Sequence, residues 1–246
     1  MKVAYCLSGE PRFVRDGFHL NNLFLTKNRE DGCEIDVYVH TWYDYAREGQ
    51  WRNDFYKHKG QHNKQDLEDV IQLYRPKAMR TDVPFDFSVI SDGCGIGEKF
   101  YHPYLKHNVF SMFKGIELSN QLVKDSGVEY DCVVRARFDF VSSDAILLSK
   151  FSQNQLNRGT DQDNFAFGNP KVMDWYSDAF YHIRQIHLKE EVHFYQEPLL
   201  TFYLEKNNPK FPVVNHCFKN FVVLDAFKLP SYYEFLRSLC KPNRES

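Results

Sequence analysis

Closely spaced cysteines are missing from this chain. Cys6, Cys33, Cys94, Cys132, Cys217 and Cys240 lie far apart, and no CxxC spacing occurs. That argues against a structural zinc site and against a disulfide framework. Cys6 and Cys132 fall inside apolar strand patterns, where a free thiol behaves as a small hydrophobe. A reducing, cytoplasmic setting is the expectation. Basic blocks are also missing: 31 Lys and Arg stand against 33 Asp and Glu, for a formal net charge of −2. Nucleic acid is therefore not an expected partner. No apolar run approaches the roughly 20 residues that span a bilayer, so no transmembrane segment is expected. The apolar run from Val3 to Leu7 after Lys2 is too short for a secretory leader. There is no internal repeat, no low-complexity linker, and no GxGxxG, so the dinucleotide fingerprint is absent.

What remains has the composition of an ordinary globular protein, with 246 residues, 43% hydrophobic and 26% charged. The chain is long enough for a full core. Aromatics are abundant, at 22 Phe, 15 Tyr and 3 Trp. They are compatible with surfaces that stack sugars, although a Phe-rich core accounts for most of them.

Strand and helix patterns alternate from the start. Lys2–Leu7 is a continuous apolar strand, broken by Ser8-Gly9-Glu10-Pro11-Arg12. A helical stretch follows, with Phe13, Phe18, Leu20, Leu23 and Phe24 available for packing. Ile35–His40 is a second strand. Asn63 reads as an N-cap for a helix carrying Leu67, Val70, Ile71 and Tyr74, which Pro76 closes. Lys77–Thr81 is a short third strand. Residues 84–106, with three glycines and two prolines, read as a long loop or flap. A helix from about Val109 to Gly127 precedes the strand at 130–136. Asn164–Gly168 is a further strand, and Asn169-Pro170 caps and opens a helix with Met173, Tyr176, Phe180 and Ile183. Gln196–Glu205 is another helix, Val213–Cys217 and Phe221–Leu224 are late strands, and Tyr232–Leu239 is a terminal helix. This alternation predicts an α/β fold: residues 1–246 as a single domain, with a mixed, mainly parallel sheet flanked by helices. The first strand and the 130–136 strand should lie parallel in one sheet.

Five groups can carry chemistry. Ser8, Gly9 and Arg12 form the loop after the first strand, where backbone amides can approach a ligand and Arg12 can fork to a phosphate. The same loop also reads as a plain β–α turn. His40 and Trp42 end the second strand; they can contact a phosphate and stack a ring, or close the sheet edge as core. Arg135, Arg137 and Asp139 alternate, which puts them on one face if the strand continues that far. Charge at the carboxyl end of a strand in an open α/β sheet suits a bound anion, with a structural ion cluster as the other reading. Their position at the sheet's mouth implies that replacing Asp139 spares the fold. Glu197 opens a helix, where it can complement the helix dipole or act as a general base. His216 follows a short strand and can ligate a divalent ion or be merely structural.

Six segments in order resemble small GT-A-type glycosyltransferases of surface-polysaccharide loci and large DNA viruses. They are CLSGEPR, Asp36–Trp42, Phe110–Asn120, Tyr130–Asp139, Asp163–Gly168 and Gln196–Leu200. The resemblance implies a GT-A-like fold with a nucleotide-binding half at about 1–140 and an acceptor-side half at about 141–246. It implies transfer of a sugar from a nucleoside-diphosphate donor to a hydroxyl of a glycan acceptor. If the chain is viral, the host cytoplasm would be its location. The resemblance further implies a divalent metal, Mn²⁺ or Mg²⁺, at a DxD motif. Here that motif reads Arg137-Phe138-Asp139 and keeps only its last carboxylate. Two arrangements stay open. Asp139 can hold the metal with His216, or Arg135 and Arg137 can supply the positive charge themselves. Competing functions are a sugar-nucleotide nucleotidyltransferase, for which the first loop lacks a lysine, and a non-catalytic carbohydrate- or partner-binding protein with a degenerate donor site.

Overall fold

The computed structural model describes residues 1–50, 61–94, 103–141, 146–159, 164–207, 210–216 and 222–223. The expected helix at Tyr232–Leu239 lies outside them. The first half alternates β1 (Lys2–Gly9), α1 (Val14–Glu30), β2 (Glu34–Trp42), α2 (Lys64–Asp69) and β3 (Ala78–Asp82). There follow α3 (Pro103–Asp125), β4 (Cys132–Ala136), a short β5 (Phe140–Val141), β6 (Leu156–Gly159) and β7 (Ala166–Gly168). The remainder is α4 (Pro170–Ser177), α5 (Ile183–Glu190), α6 (Gln196–Phe202), β8 (Val213–His216) and β9 (Val222–Val223).

Seven strands form one sheet in the order β3-β2-β1-β4-β7-β6-β8, while β5 and β9 pair separately. β1 pairs parallel with both β2 and β4, and β2 with β3. β7 runs antiparallel to β4 and to β6, and β6 is parallel to β8. Only β7 is therefore reversed, and the carboxyl ends of the other six strands share one edge. The architecture is an α/β fold with a mixed, mostly parallel sheet flanked by helices.

Alternation along the strands feeds two cores. Val3, Tyr5, Leu7, Val39 and Val134 pack with Val14 and Leu25 of α1 and with Val70 and Tyr74 after α2. Ala4, Cys6, Tyr38 and Val133 face the other way, onto Phe110, Phe113 and Ile116 of α3 and Val172 and Tyr176 of α4. All five residues of β4 are buried, as expected of a strand covered on both sides. Each large apolar side chain removed from water in this way contributes about 1.5–3 kcal/mol.

Local signals set several boundaries. Asn63 accepts a hydrogen bond from the Gln65 amide and Asn169 from the Val172 amide, so both caps form as their sequences predict. Other boundaries differ. The 3.6-residue pattern after Pro170 continues through a 3₁₀ turn at Asp178–Tyr181, which divides it into α4 and α5. α3 starts at Pro103, inside the segment expected as loop, because proline suits the first helical position. The strand β6 was not expected. Its sequence, Leu-Asn-Arg-Gly, has no apolar alternation, yet all four residues are buried.

Candidate functional site

From β1 the sheet grows in two directions, through β2 and β3 on one side and β4 on the other. Ligands in open α/β sheets bind outside the carboxyl ends of strands at such a reversal. The ends of β1 and β4 carry Ser8, Gly9 and Arg12 on one strand and Arg137 and Asp139 on the other.

β4 stops at Ala136, and Phe138-Asp139 form a turn. Two features bend the chain there. Phe138 is drawn into the α1-side core, edge-on to Tyr74 at 6.2 Å between ring centroids. Gly17 of α1 lies so close that a Cβ there would sit 2.0 Å from the Phe138 carbonyl oxygen. The turn brings Asp139 against Arg12, 127 residues earlier. Arg12 Nε and Nη2 approach Asp139 Oδ2 at 2.6 and 2.5 Å. Arg137 Nε donates to Oδ1 and Nη2 to Oδ2, both at 2.9 Å. Arg137 Nη1 also donates to Asn164 Oδ1 at 3.0 Å. Burial of Asp139 opposes its charge, but the guanidiniums of Arg12 and then Arg137 hold its carboxyl well below the usual carboxylate range. The carboxylate is 3% exposed, whereas Arg12 and Arg137 are 15% and 23% exposed.

This geometry corrects two expectations. Arg135, Arg137 and Asp139 do not share one strand face, because the strand ends between the first and second. Arg135 stays within β4 opposite Cys6 and is buried on the α3 side with Val133. Asp139 is buried and doubly ion-paired instead of lying open at the sheet's mouth.

Ser8, His40 and Trp42 form a second group, on the α3 face. All three flank Gly115, where a Cβ would meet Trp42 Nε1 at 3.3 Å and His40 Nδ1 at 3.6 Å. Trp42 Nε1 donates to the Ser111 carbonyl at 3.1 Å, and its ring meets those of His40 and Phe85 edge-on. His40 Nε2 lies 3.1 Å from Asp82 Oδ2. Burial pushes the His40 pKa down to about 4, against the pull of Asp82, which keeps the imidazole neutral near pH 7. His40 and Trp42 are buried. They close the sheet edge as core, the second of the two roles their sequence allowed.

His216 ends β8, which β7 and β6 separate from β4. At a strand spacing near 4.8 Å, that is about 14 Å across the sheet. Its Nε2 is 2.9 Å from Asn157 Oδ1, and its ring packs edge-on to Phe151. Burial lowers its pKa. Glu197 lies half-buried in the first turn of α6. One turn on, along the same helical stripe, Thr201 accepts from Arg158 Nη2 at 3.2 Å. Arg158, next to the carboxyl end of β6, also donates from Nε to Asn215 Oδ1 at 2.8 Å.

Sequence reasoning missed Arg158, Asn164 and Asp82. Asn164 stood in the quoted Asp163–Gly168 segment and was legible as a polar residue at a strand start. Arg158 had no such signal, since its strand was not recognisable. Beside Arg12, a cavity of about 460 Å³ opens between the starts of α1 and α2, lined by Arg12, Arg15, Asp16, Glu48, His62 and Asp66 among others. That volume lies within the range of small-molecule sites.

The expected divalent ion is a poor match for these residues. Both oxygens of Asp139 already accept from guanidiniums, and His216 points its Nε2 at Asn157. Among the described residues no three His, Cys, Asp or Glu side chains group as a metal site. Among the same residues, no helix is long and apolar enough to cross a membrane. No protein-family model matches the chain, and none of the curated proteins matches it.

Proposed function

We propose that the chain is a glycosyltransferase of GT-A type. It would move a sugar from a nucleoside-diphosphate donor to a hydroxyl of a glycan acceptor, in the cytoplasm. One observation carries this reading: Arg12 and Arg137 are pinned around a buried carboxylate at the point where the sheet reverses its order. Two guanidiniums against one carboxylate leave a surplus positive charge there. Planar guanidinium forks match phosphate oxygens in geometry. In this reading residues of about 1–140 hold the donor and those of about 141–246 face the acceptor.

The chemistry then assigns the roles. The acceptor oxygen attacks the anomeric carbon, and the bond from that carbon to the diphosphate oxygen breaks. The electron pair leaves with the diphosphate, whose growing charge is met by Arg12 and Arg137. Glu197 takes the proton of the acceptor hydroxyl if the configuration inverts, or acts on the β face of the donor if it is retained. Its stripe on α6, shared with Thr201, faces Arg158 near the carboxyl edge, which supports that assignment.

A panel of nucleoside-diphosphate sugars tests the reading by thermal shift and by release of nucleoside diphosphate. A donor at 100 times its dissociation constant stabilises the protein by about 2.7 kcal/mol. Turnover that falls about 10²-fold in Glu197→Gln, with donor binding retained, supports the base. Binding without turnover for any acceptor or water favours the carbohydrate-binding alternative. Stabilisation by none of the sugars overturns both the donor site and the transferase.

A further inference from the structure

We propose that Asp139 is a positioning residue for an arginine clamp, and that Arg12 and Arg137 bind the diphosphate without a divalent metal. The inference rests on the transferase reading and deepens it at the same site. It departs from the arrangement that a DxD-type carboxylate suggests, in which the acid itself ligates the ion.

The argument is geometric. A carboxylate that ligates a hard cation must turn at least one oxygen toward it, at 2.0–2.6 Å. Asp139 turns both oxygens toward cations that are part of the chain: Oδ1 toward Arg137, and Oδ2 toward Arg137 and Arg12. Four nitrogen–oxygen contacts of 2.5–2.9 Å surround it. A divalent ion at this carboxylate would displace one guanidinium and sit beside the other at close range, with strong repulsion.

The clamp also has the form that anion recognition needs. A guanidinium on a flexible stem loses side-chain entropy when it is held for a ligand. Here that ordering is already done, since Asp139 fixes both forks and Asn164 fixes the third nitrogen of Arg137. Two of the three guanidinium nitrogens of Arg12 are on Asp139, and the residue borders the 460 Å³ cavity. The cavity itself holds four carboxylates, Asp16, Glu48, Asp66 and Asp69, against Arg12 and Arg15. Its acidic lining disfavours phosphate, so the phosphates belong on the clamp at its rim.

Calorimetric titration with inorganic pyrophosphate, UDP and GDP, each in EDTA and in Mn²⁺, is the test, with Mn²⁺ binding followed separately by electron paramagnetic resonance. The wild-type protein should bind pyrophosphate and at least one nucleoside diphosphate with dissociation constants within about threefold in the two conditions. Arg12→Lys and Arg137→Lys, which keep the charge and lose the fork, should each weaken binding by about tenfold or more. Asp139→Asn distinguishes the roles further. It raises the site's net positive charge, so a pure charge effect would tighten anion binding, whereas loss of positioning weakens it. Should that variant fail to fold, the two lysine variants carry the test alone. Anion binding that disappears in EDTA and returns with Mn²⁺ overturns the clamp, as does unchanged affinity in both lysine variants. Pyrophosphate bound in EDTA through Arg137, with nucleoside diphosphates no tighter, leaves the clamp standing and removes the donor reading.

Discussion

Two acid–base groups sit on the same edge of the sheet, one at β1 and β4 and the other at β2 and β3, and they have opposite character. At β1 and β4 a buried carboxylate holds two partly exposed guanidiniums beside a cavity. At β2 and β3 a buried, neutral histidine leans on Asp82, which also pairs with Arg80. In the first group the acid is inside and the cations face outward. In the second the neutral base is inside, and the charge facing outward is the Asp82–Arg80 pair, with no surplus cation. The sequence offered both as strand-end polar clusters. What separates them is which partner is buried, and burial is decided by α1 and α3 rather than by the strands.

The largest effect should come from removing the inside acid. Asp139→Ala leaves two guanidiniums without their shared carboxylate, a change that costs about 3–5 kcal/mol when a pair is buried. Urea denaturation should show it, and a loss below about 1 kcal/mol would mean that the pair is solvent-screened like a surface bridge.

Acidification should separate the groups by pH window. The folded His40 pKa, about 4, lies below the ordinary value of 6.5. A depressed pKa means that the unfolded chain binds the proton first. Stability is therefore full above about pH 6.5 and is lost as pH falls toward 4, by up to about 3 kcal/mol. Asp139 has its pKa depressed too, from an ordinary 3.8. Its contribution is present above that value and is lost only at lower pH. His40→Gln should flatten the stability profile between pH 6.5 and 4 while leaving the steeper acid limb in place. A profile unchanged by His40→Gln would show that this histidine titrates normally.

A smaller effect tests the turn that joins α1 to the first group. Gly17→Ala puts a methyl 2.0 Å from a backbone carbonyl, so the helix or the Phe138-Asp139 turn must move. A cost of about 1–3 kcal/mol is expected, together with weaker anion binding. Gly115→Ala is the matched control in the second group. Its contact of 3.3 Å is to a side-chain atom of Trp42, and a change within about 1 kcal/mol is expected. Equal costs at the two glycines would erase the distinction between the helices.

Much of the frame was legible because its causes are local. Continuous apolar runs marked β1, β2 and β4, and the parallel pairing of β1 with β4 followed from the helical connections between them. Asn63 and Asn169 marked helix starts through their side-chain oxygens. The site was less legible because its causes are not local. Nothing in Arg-Ala-Arg-Phe-Asp says that the strand stops at Ala136; that depends on a pocket for Phe138 and on a glycine in α1. The contact between Arg12 and Asp139 spans 127 residues, about half of the chain. Arg158 was hidden because Leu-Asn-Arg-Gly becomes a strand only through its neighbours β7 and β8. His40 and Trp42 were correctly seen at a strand end, but α3, which closes over them, could not be placed by periodicity alone.

The most direct test of the central claim compares the two groups in one experiment. Calorimetric affinity for nucleoside diphosphates should be measured in the wild type, in Arg12→Gln at the first group and in Asp82→Asn at the second. Asp82→Asn keeps a side-chain oxygen for the contacts with His40 and Arg80, so the fold should be retained. Affinity should fall by about tenfold or more in Arg12→Gln and stay within about twofold of the wild type in Asp82→Asn. Loss of affinity in Asp82→Asn with Arg12→Gln unchanged would move the ligand to β2 and β3 and contradict the account.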